Sequence, residues 1–345
     1  MDMTDVSYID PRLPLIDLHR HLDGSVRLET VIELADAQGI ELPARDVDSL
    51  RPYVVVEGKA ASLMDFIGRF QYLTAILHDL DACRRVAYEN VEDAKREGID
   101  YIELRFSPWF MSETHDLDPA GVVEAVADGI KAAERDTGVR AQMIGIMSRT
   151  YDTETCHREL DALLAHRDHL VAIDLAGDEL KFPAELFHEH FKRARDAGLQ
   201  VTVHAGEVDG PESVWSAIRE LGATRIGHGI HSLRDPELVE YLAEHRIGLE
   251  VSITSNIHIG TVDEYANHPV RQIFELGLLA NLNTDDPAIS GIDLRHEYEV
   301  AAVRAGLSPQ MTRQSQANAL EMAFLPEEEK RALLERKTRE LPQQI

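Results

Sequence analysis

Two histidines, His19 and His21, stand one residue apart in the stretch "DLHRHLDG", a spacing that could bind a metal ion. The preceding run "LPLIDL" is apolar, as expected for a buried strand, and side chains alternate faces along a strand. The two imidazoles would then point the same way. A second pair with this spacing, in "FHEHF" at 187–191, lies in a segment of helical periodicity, where residues two apart do not share a face. We interpret the first pair as candidate ligands and the second as helix surface.

The composition argues against several classes of partner. The chain has 345 residues, 44% of them hydrophobic, and a formal net charge of −27 from 35 basic and 62 acidic residues. An acidic surface repels phosphate backbones and anionic lipids, so we expect neither a nucleic-acid nor a membrane partner. A neutral small molecule is the substrate class that this charge admits most easily.

The N-terminus and the cysteines favour a cytoplasmic protein without disulfides. The opening "MDMTDVSYIDPRLPL" is acidic and lacks the basic and apolar regions of a secretory signal. Cys83 and Cys156 lie far apart and fit no C-x-x-C pattern, which indicates neither a disulfide framework nor a thiolate zinc site. The oligomeric state stays open.

Short strand-like runs alternate with longer helical patterns along the chain. Strands are predicted at 15–18, 101–106, 141–146, 171–175, 200–204, 225–227, 248–252 and 279–283. Helices are predicted at 119–137, 184–197, 211–221, 236–245 and 269–276. Because parallel strands need helical crossovers and eight of them can close a sheet, the pattern predicts a TIM-type (β/α)8 barrel. A doubly wound open sheet is the alternative.

One barrel domain is expected to span residues 1–345, with two additions. Residues 29–98 hold about three helices, more than one crossover needs, and we interpret them as a helical lid insertion after the first strand. Within it, the amphipathic stretch "SLMDFIGRFQYL" could cover the barrel mouth with apolar side chains. The tail from Ser308 onward is predicted to form extra C-terminal helices.

Residues able to bind a metal, move protons or admit a ligand to the backbone follow five of the eight predicted strands. They are His19 and His21, residues 177–179 in "LAGDE", His204 and Glu207 in "HAGE", His228 in "GHG", and Asp285 and Asp286 in "NTDDP". Each motif alone is as easily a turn, a bend or a helix cap. In such barrels, however, functional residues lie at the carboxyl ends of the strands, so their joint occurrence indicates one site.

The ligand types suggest zinc. Three histidines and one carboxylate suit a zinc ion that keeps an open position for water, and the lack of cysteine ligands favours a catalytic site. Zinc lowers the pKa of its bound water to about 7, and Glu207 beside the metal could then transfer protons.

The ordered set "PLIDLHRHLDGS", "RFSPWF", "DLAGDE", "VTVHAGE", "RIGHGI", "TSN" and "NTDDP" resembles the adenosine deaminase family of amidohydrolase-type barrels, in its bacterial form. The resemblance covers nearly the whole chain. It implies a cytoplasmic, zinc-dependent hydrolase of purine metabolism that converts adenosine and 2′-deoxyadenosine to inosine and 2′-deoxyinosine, with release of ammonia, in purine salvage.

The resemblance also implies roles for individual residues around the metal. One zinc ion per chain would be bound by His19, His21, His204 and Asp285. Glu207 would protonate purine N1 and make C6 electrophilic. His228, together with Asp285, would orient and deprotonate the attacking water.

The implied substrate-binding residues are His21, Asp23, Gly177 and Asp286. Asp286 would accept a hydrogen bond at purine N7, the Gly177 N–H would donate to N3, and Asp23 is expected near the ribose 5′-hydroxyl. By the family pattern, Leu63, Ile67 and Phe70 would wall the purine pocket, although ordinary helix packing explains them about equally well.

Three alternatives stay open at this point. The same chemistry could act on adenine, aminodeoxyfutalosine or an N6-substituted nucleoside, or the barrel could bind a nucleoside without catalysis. A binuclear amidohydrolase usually needs a bridging lysine, and none stands at the strand ends above. Two further residues have an expected position. Arg20, between the two histidines, should point away from the ligands into an ion pair, and His258 should lie near the barrel mouth.

Overall fold

Eight parallel strands form the centre of the computed structural model, which describes residues 7–340. The strands are β1 (Ile16–His21), β2 (Tyr101–Phe106), β3 (Arg140–Ser148), β4 (Leu170–Ala176), β5 (Gln200–Ala205), β6 (Arg225–His228), β7 (Gly248–Val251) and β8 (Ala280–Leu282). Each strand pairs in parallel with the next, in the order of the sequence. All eight strand predictions overlap an observed strand, with ends that differ by up to three residues.

The barrel closes where the chain leaves β8. The N–H of Asp285 donates to the carbonyl of His19, and the N–H of His21 donates to the carbonyl of Asp285, both at 2.8 Å. These two bonds pair the end of β1 with the segment after β8. The (β/α)8 prediction is confirmed, and the open-sheet alternative is wrong.

Helices and short helical turns connect the strands. The first nine helices are α1 (Leu28–Gln38), α2 (Val47–Val54), α3 (Leu63–Gly68), α4 (Gln71–Thr74), α5 (Leu80–Glu97), α6 (Pro108–Ser112), α7 (Pro119–Thr137), α8 (Thr153–Ala165) and α9 (His188–Asp196). The others are α10 (Pro211–Ser216), α11 (Pro236–His245), α12 (Ile253–Ile259), α13 (Val270–Glu275), α14 (Pro287–Ser290), α15 (Leu294–His296), α16 (Ala302–Arg304), α17 (Pro309–Met322) and α18 (Glu327–Glu340). The predicted helices 119–137 and 236–245 have the observed bounds.

The segment between β1 and β2 contains five helices rather than about three. Asp46, Ser62 and Asp79 each accept a hydrogen bond from a backbone N–H in the first turn of α2, α3 and α5. Such N-caps satisfy amide groups that a helix start leaves unpaired, so they favour several short helices over a few long ones.

The second H-x-H pair agrees with its prediction at only one residue. His188 begins α9 and is exposed, but His190 is buried, and its Nε2 lies 2.9 Å from the carbonyl oxygen of Thr153. The interpretation as helix surface is wrong for His190, because a helix turns about 200° over two residues and here carries the second ring onto α8.

Other expectations are resolved by burial and pairing. Arg20 is buried and binds Glu97 through both terminal nitrogens, at 2.6 and 2.9 Å, and Asp17 through Nε at 3.1 Å, as expected. Cys83 and Cys156 are buried and free.

Across residues 7–340 we find no helix with the length and apolar character needed to cross a membrane. Parts of the signal-peptide argument (1–6) and of the predicted helical tail (341–345) fall outside the described residues.

Candidate active site

The ends of four strands bring a compact group of ligand atoms together. His19 lies on β1, His204 on β5 and His228 at the end of β6, and Asp285 follows β8. The potential ligand atoms of these four residues lie within 4.8 Å of one another, and all four residues are buried. His21 belongs to a neighbouring group with Asp285 and Asp286.

His21 connects the two groups. Its Nε2 lies 3.2 Å from Nε2 of His204 and 3.3 Å from Oδ1 of Asp285. The structure therefore brings together all four residues of the expected ligand set, and adds His228 at similar range.

Two members of the site have an unusual backbone conformation. His228 and Asp285 have φ angles of 61° and 63°, in the left-handed region that side chains other than glycine rarely adopt. This conformation costs on the order of 1–3 kcal/mol per residue, and such strain concentrates at functional sites. At Asp285 the two backbone bonds to β1 hold the turn in place.

Buried carboxylates set the tautomers of His19 and His204. Nδ1 of His19 lies 2.8 Å from Oε2 of Glu250, and Nδ1 of His204 lies 3.0 Å from a carboxylate oxygen of Asp174. A carboxylate only accepts hydrogen bonds, so each Nδ1 carries the hydrogen and each Nε2 presents a lone pair to the site. Burial lowers the pKa of His204 to about 4, which keeps this ring neutral, as a ligand must be.

The facing lone pairs fit a bound cation. Nε2 of His19 is buried without a hydrogen-bond partner, 3.2 Å from Oδ1 of Asp285. Two acceptors at this distance repel each other unless a proton or a cation lies nearby. An orphaned nitrogen, a carboxylate and further imidazoles form the donor set that zinc prefers.

Arginines beneath the site keep the supporting carboxylates ionised. Arg105 binds Glu250 at 2.6 Å and Asp174 at 2.8 Å, and Arg225 binds Glu250 at 2.6 Å. Burial alone would raise the pKa of Glu250, but these guanidinium groups outweigh it and hold the pKa well below the usual value. The sequence analysis missed this network, although charged residues inside the apolar strand runs "YIELRF", "VAIDLA" and "GLEV" could have revealed it.

Two carboxyl groups of opposite protonation flank His228. Burial, reinforced by the charge of Asp285, raises the pKa of Glu207 well above its usual range. Asp285 is also buried, but nearby His19 and His21 hold its pKa well below the usual range. Nε2 of His228 lies 3.3 Å from Oε1 of Glu207 and 3.7 Å from Oδ2 of Asp285. Paired groups whose pKa values are pushed apart in this way are the expected acid and base of a reaction.

Glu179, from the "LAGDE" motif, positions the Glu207 turn. Its carboxylate accepts hydrogen bonds from the backbone N–H groups of Gly206, Glu207, Val208 and Asp209. The strand-end motif is thus partly structural, and Glu179 does not line the site cavity.

A cavity of about 680 Å³, including its open mouth, lies over the cluster. Its lining includes the predicted substrate residues His21, Asp23, Gly177 and Asp286, and the predicted wall residues Leu63, Ile67 and Phe70. Phe66, Phe110, Ile146 and Ile259, which the sequence analysis did not single out, add to the apolar side. Among the described residues, no lysine or arginine lines this cavity. His258 lies at a different cavity, beside Lys59 and Arg304.

Two glycines let polar side chains of the cavity lie close against the backbone. A Cβ on Gly24 would lie 1.9 Å from Oδ1 of Asp286, and a Cβ on Gly177 would lie 2.5 Å from Oγ1 of Thr150. Asp23 and Asp286 each keep a buried Oδ1 without a hydrogen-bond partner. Burial and the charge of Asp285 raise the pKa of Asp286 well above its usual range.

Comparisons with known proteins agree with this architecture. A sequence model of the family described as adenosine deaminase matches residues 14–339. A protein named adenosine deaminase from Vibrio cholerae is 57% identical over 326 residues, which cover 94% of this chain and 98% of that protein. The fold is similar to an adenine deaminase from Arthrobacter aurescens (TM-score 0.88, 27% identity, 95% of this chain and 98% of that one). It is also similar to an amidohydrolase from Burkholderia ambifaria with bound zinc (TM-score 0.86, 26% identity, 98% and 94%).

Proposed function

The chain belongs to the adenosine deaminase family, and we propose that it hydrolyses adenosine and 2′-deoxyadenosine to the corresponding inosines and ammonia, as a step of purine salvage. One observation carries the proposal: a neutral carboxyl, Glu207, and an ionised one, Asp285, flank a histidine at the closed end of a nucleoside-sized cavity. Deamination of a purine needs both a proton donor and a proton acceptor beside the reacting atoms.

We assign a zinc ion to His19, His21, His204 and Asp285, one per chain. The unpaired Nε2 of His19 and the short approach of His21 to His204 support this set. His228 is excluded from it because its Nδ1 faces the side-chain nitrogen of Asn256 rather than a carboxylate. The chemistry that zinc supplies when bound is activation of water, whose pKa it lowers to about 7.

The protein groups then divide the proton transfers between them. Glu207 donates its proton to purine N1, which weakens the aromaticity of the ring and makes C6 electrophilic. Asp285, kept ionised by the histidines, accepts a proton from the attacking water, and His228 orients that water toward C6. In the tetrahedral product the proton taken up by Asp285 passes to the amino group, which leaves as ammonia, and the C6 hydroxyl gives its proton to Glu207 as the carbonyl forms.

The substrate contacts implied by the family resemblance are part of the proposal, with one correction. Purine N7 has a lone pair and no hydrogen, and the raised pKa of Asp286 keeps its carboxyl protonated. Asp286 therefore donates the hydrogen bond to N7 rather than accepting one. The Gly177 N–H donates to N3, Asp23 faces the ribose 5′-hydroxyl, and His21 also lines the substrate cavity.

The lining also favours a neutral nucleoside over a nucleotide. Buried carboxyls stand at Asp23 and Asp286, and the described lining offers no lysine or arginine to a phosphate. The acidic composition likewise supports the predictions of no nucleic-acid partner and no membrane partner, and the cytoplasmic location stays a prediction.

The test is ammonia release by the purified, zinc-replete protein from adenosine, 2′-deoxyadenosine, adenine, AMP and N6-methyladenosine. We expect fast release from the two unmodified nucleosides only. Release from adenine or N6-methyladenosine instead would keep the chemistry and change the substrate. No release from any of them would contradict the proposal.

A further inference from the structure

A chain of hydrogen bonds runs from a backbone amide on α13 to the site, and its direction can be read from its first donor. The N–H of Val270 donates to Nδ1 of His268 at 3.1 Å. A backbone amide can only donate, so Nδ1 accepts and the hydrogen of this neutral ring lies on Nε2. Burial lowers the pKa of His268 to about 3, which keeps the ring neutral.

The second step fixes the side-chain amide of Asn256, the asparagine of the "TSN" motif on α12. Nε2 of His268 lies 3.2 Å from Oδ1 of Asn256, so the ring donates and the amide oxygen accepts. The amide nitrogen must then face the other way. It lies 3.1 Å from Nδ1 of His228 and 3.4 Å from Oε1 of Glu207.

The third step sets the tautomer of His228. An amide NH2 group can only donate, so Nδ1 of His228 accepts from it. The hydrogen of the neutral ring is left on Nε2, the atom that lies 3.3 Å from Glu207 and 3.7 Å from Asp285. His19 and His204 have the opposite tautomer, because carboxylates face their Nδ1 atoms.

We propose that Asn256 and His268 are positioning residues that hold His228 as an Nε2–H donor and direct the acidic proton of Glu207 toward the substrate. Oε1 of Glu207 accepts a hydrogen bond from the second N–H of the Asn256 amide, which leaves Oε2 to carry the proton delivered to purine N1. The inference rests on the proposed function, since it concerns how this pair of residues serves that reaction.

This arrangement changes the expected role of His228. With hydrogen on Nε2 and Nδ1 engaged by Asn256, the ring has no lone pair directed at the attacking water. It orients the water oxygen by donating a hydrogen bond to it, and the proton of the water passes to Asp285. The expectation that His228 itself removes this proton does not fit the hydrogen-bond pattern.

The main test is Asn256→Asp, which keeps the shape of the side chain and replaces the donor by an acceptor. We expect kcat to fall by about 10² to 10⁴, KM to stay within about threefold, and the bound zinc, measured by elemental analysis, to stay at one per chain. In the zinc-loaded protein, long-range ¹⁵N–¹H correlation spectra should show the Nε2–H tautomer for His228, and this variant should convert it to Nδ1–H. The His228 signals are assigned by their loss in His228→Gln.

Substitutions at His268 test the next step outward. His268→Phe removes the donor to Asn256 and should lower kcat about 10-fold to 100-fold, as loss of an outer hydrogen-bond partner does. His268→Gln keeps an N–H donor near the position of Nε2 and should recover most of kcat. The matched control is Asn318→Asp, because Asn318 is a buried asparagine that donates to the carbonyl of Ala280 away from the site. It should lower the melting temperature and leave kcat and the His228 spectrum unchanged.

The proposal is overturned if His228 carries hydrogen on Nδ1 in the unaltered protein, or if Asn256→Asp keeps kcat within threefold. It is also overturned if the fall in kcat follows loss of zinc, or if His268→Gln is as slow as His268→Phe. If the unaltered protein released no ammonia from adenosine, the proposed function would fail, while the tautomer measurement would still report on the relay itself.

Discussion

The barrel holds its buried carboxyl groups in two different ways, and the border between them runs through the site. In the interior below the histidines, Asp174 and Glu250 are paired with arginines and have pKa values held below the usual range. At the rim, Glu207 and Asp286 face no arginine or lysine within hydrogen-bonding distance in the described structure, and burial raises their pKa values. Buried carboxyl groups are thus kept charged in the interior layer and neutral in the rim layer.

The difference shows how the fold assigns chemical roles without changing the side-chain type. Ionised carboxylates below can accept Nδ1–H from His19 and His204 and turn their lone pairs toward a metal. Neutral carboxyls above can donate protons to a purine. Asp285 lies at the border: it is at the rim, but the histidines keep it ionised, so it can both bind a metal and accept a proton.

The largest effect is expected from Asp285→Asn, which removes the ionised group at this border. In the proposed mechanism the variant lacks both a metal ligand and the proton acceptor, so turnover of adenosine should fall by at least about 10⁴. Ammonia release and elemental analysis measure the two losses. Asp293→Asn makes the same change at an exposed helix cap and should leave both unchanged. A metal-replete Asp285→Asn protein with turnover within tenfold of the unaltered chain would remove Asp285 from both roles.

The next largest effect is expected at the rim, where the carboxyl of Glu207 is neutral. Glu207→Gln keeps the shape of the side chain and removes the acidic proton, so kcat should fall by about 10² to 10⁴ while zinc content stays at one per chain. Glu212→Gln is the control, because Glu212 is an exposed carboxylate at the start of the nearby helix α10. Near-normal turnover in Glu207→Gln would show that another group protonates the purine.

The clustering of these side chains could be predicted from the sequence because they follow strands whose apolar runs are easy to recognise. His19, His204, His228 and Asp285 each come at or just after a predicted strand end, and the barrel rule places such residues together. The helix count of the 29–98 segment was wrong because capping residues such as Ser62 divide it. His190 was misassigned because a short helical pattern does not show which face a neighbouring helix covers.

The supporting layers could not be predicted in the same way. Asp174, Glu250 and Arg105 lie on different strands, and their pairing depends on the register between strands, which local patterns do not specify. The role of Asn256 depends on the direction of a hydrogen-bond chain that begins at the backbone of Val270. Protonation states also arise from burial and neighbouring charge, so identical letters in "NTDDP" became an ionised Asp285 and a neutral Asp286.

A smaller effect is expected when the ionised layer is changed beneath the metal. Asp174→Asn replaces the acceptor of the His204 Nδ1–H, and loss of such a partner weakens metal binding by about 10-fold to 100-fold. Competition with a chelator measures the affinity, and excess zinc should restore most of kcat. This result would contrast with Asn256→Asp, where added zinc should restore none of the lost kcat. Equal zinc affinity in Asp174→Asn and the unaltered protein would show that the carboxylate does not support the ligand.

The smallest effect concerns a neutral carboxyl outside the site, Glu159 on α8. It is fully buried, accepts hydrogen bonds from the Ser107 hydroxyl and the Ser148 N–H, and burial raises its pKa to about 8. Between the unfolded value of 4.5 and about 8, the folded protein keeps a proton that the unfolded chain releases, so its contribution to stability falls as pH rises. By pH 7 this loss lowers the free energy of unfolding by about 3 kcal/mol relative to its value below pH 4.5.

Glu159→Gln carries no titrating group at this position and should remove that part of the pH dependence. Its melting temperature should therefore rise relative to that of the unaltered protein as pH increases from about 5 to 8. Glu154→Gln, at an exposed position on the same helix, should follow the unaltered protein throughout. Parallel melting curves for Glu159→Gln and the unaltered chain would mean that Glu159 is ionised in the fold, and that burial without a cationic partner does not suffice to keep a carboxyl of this barrel neutral.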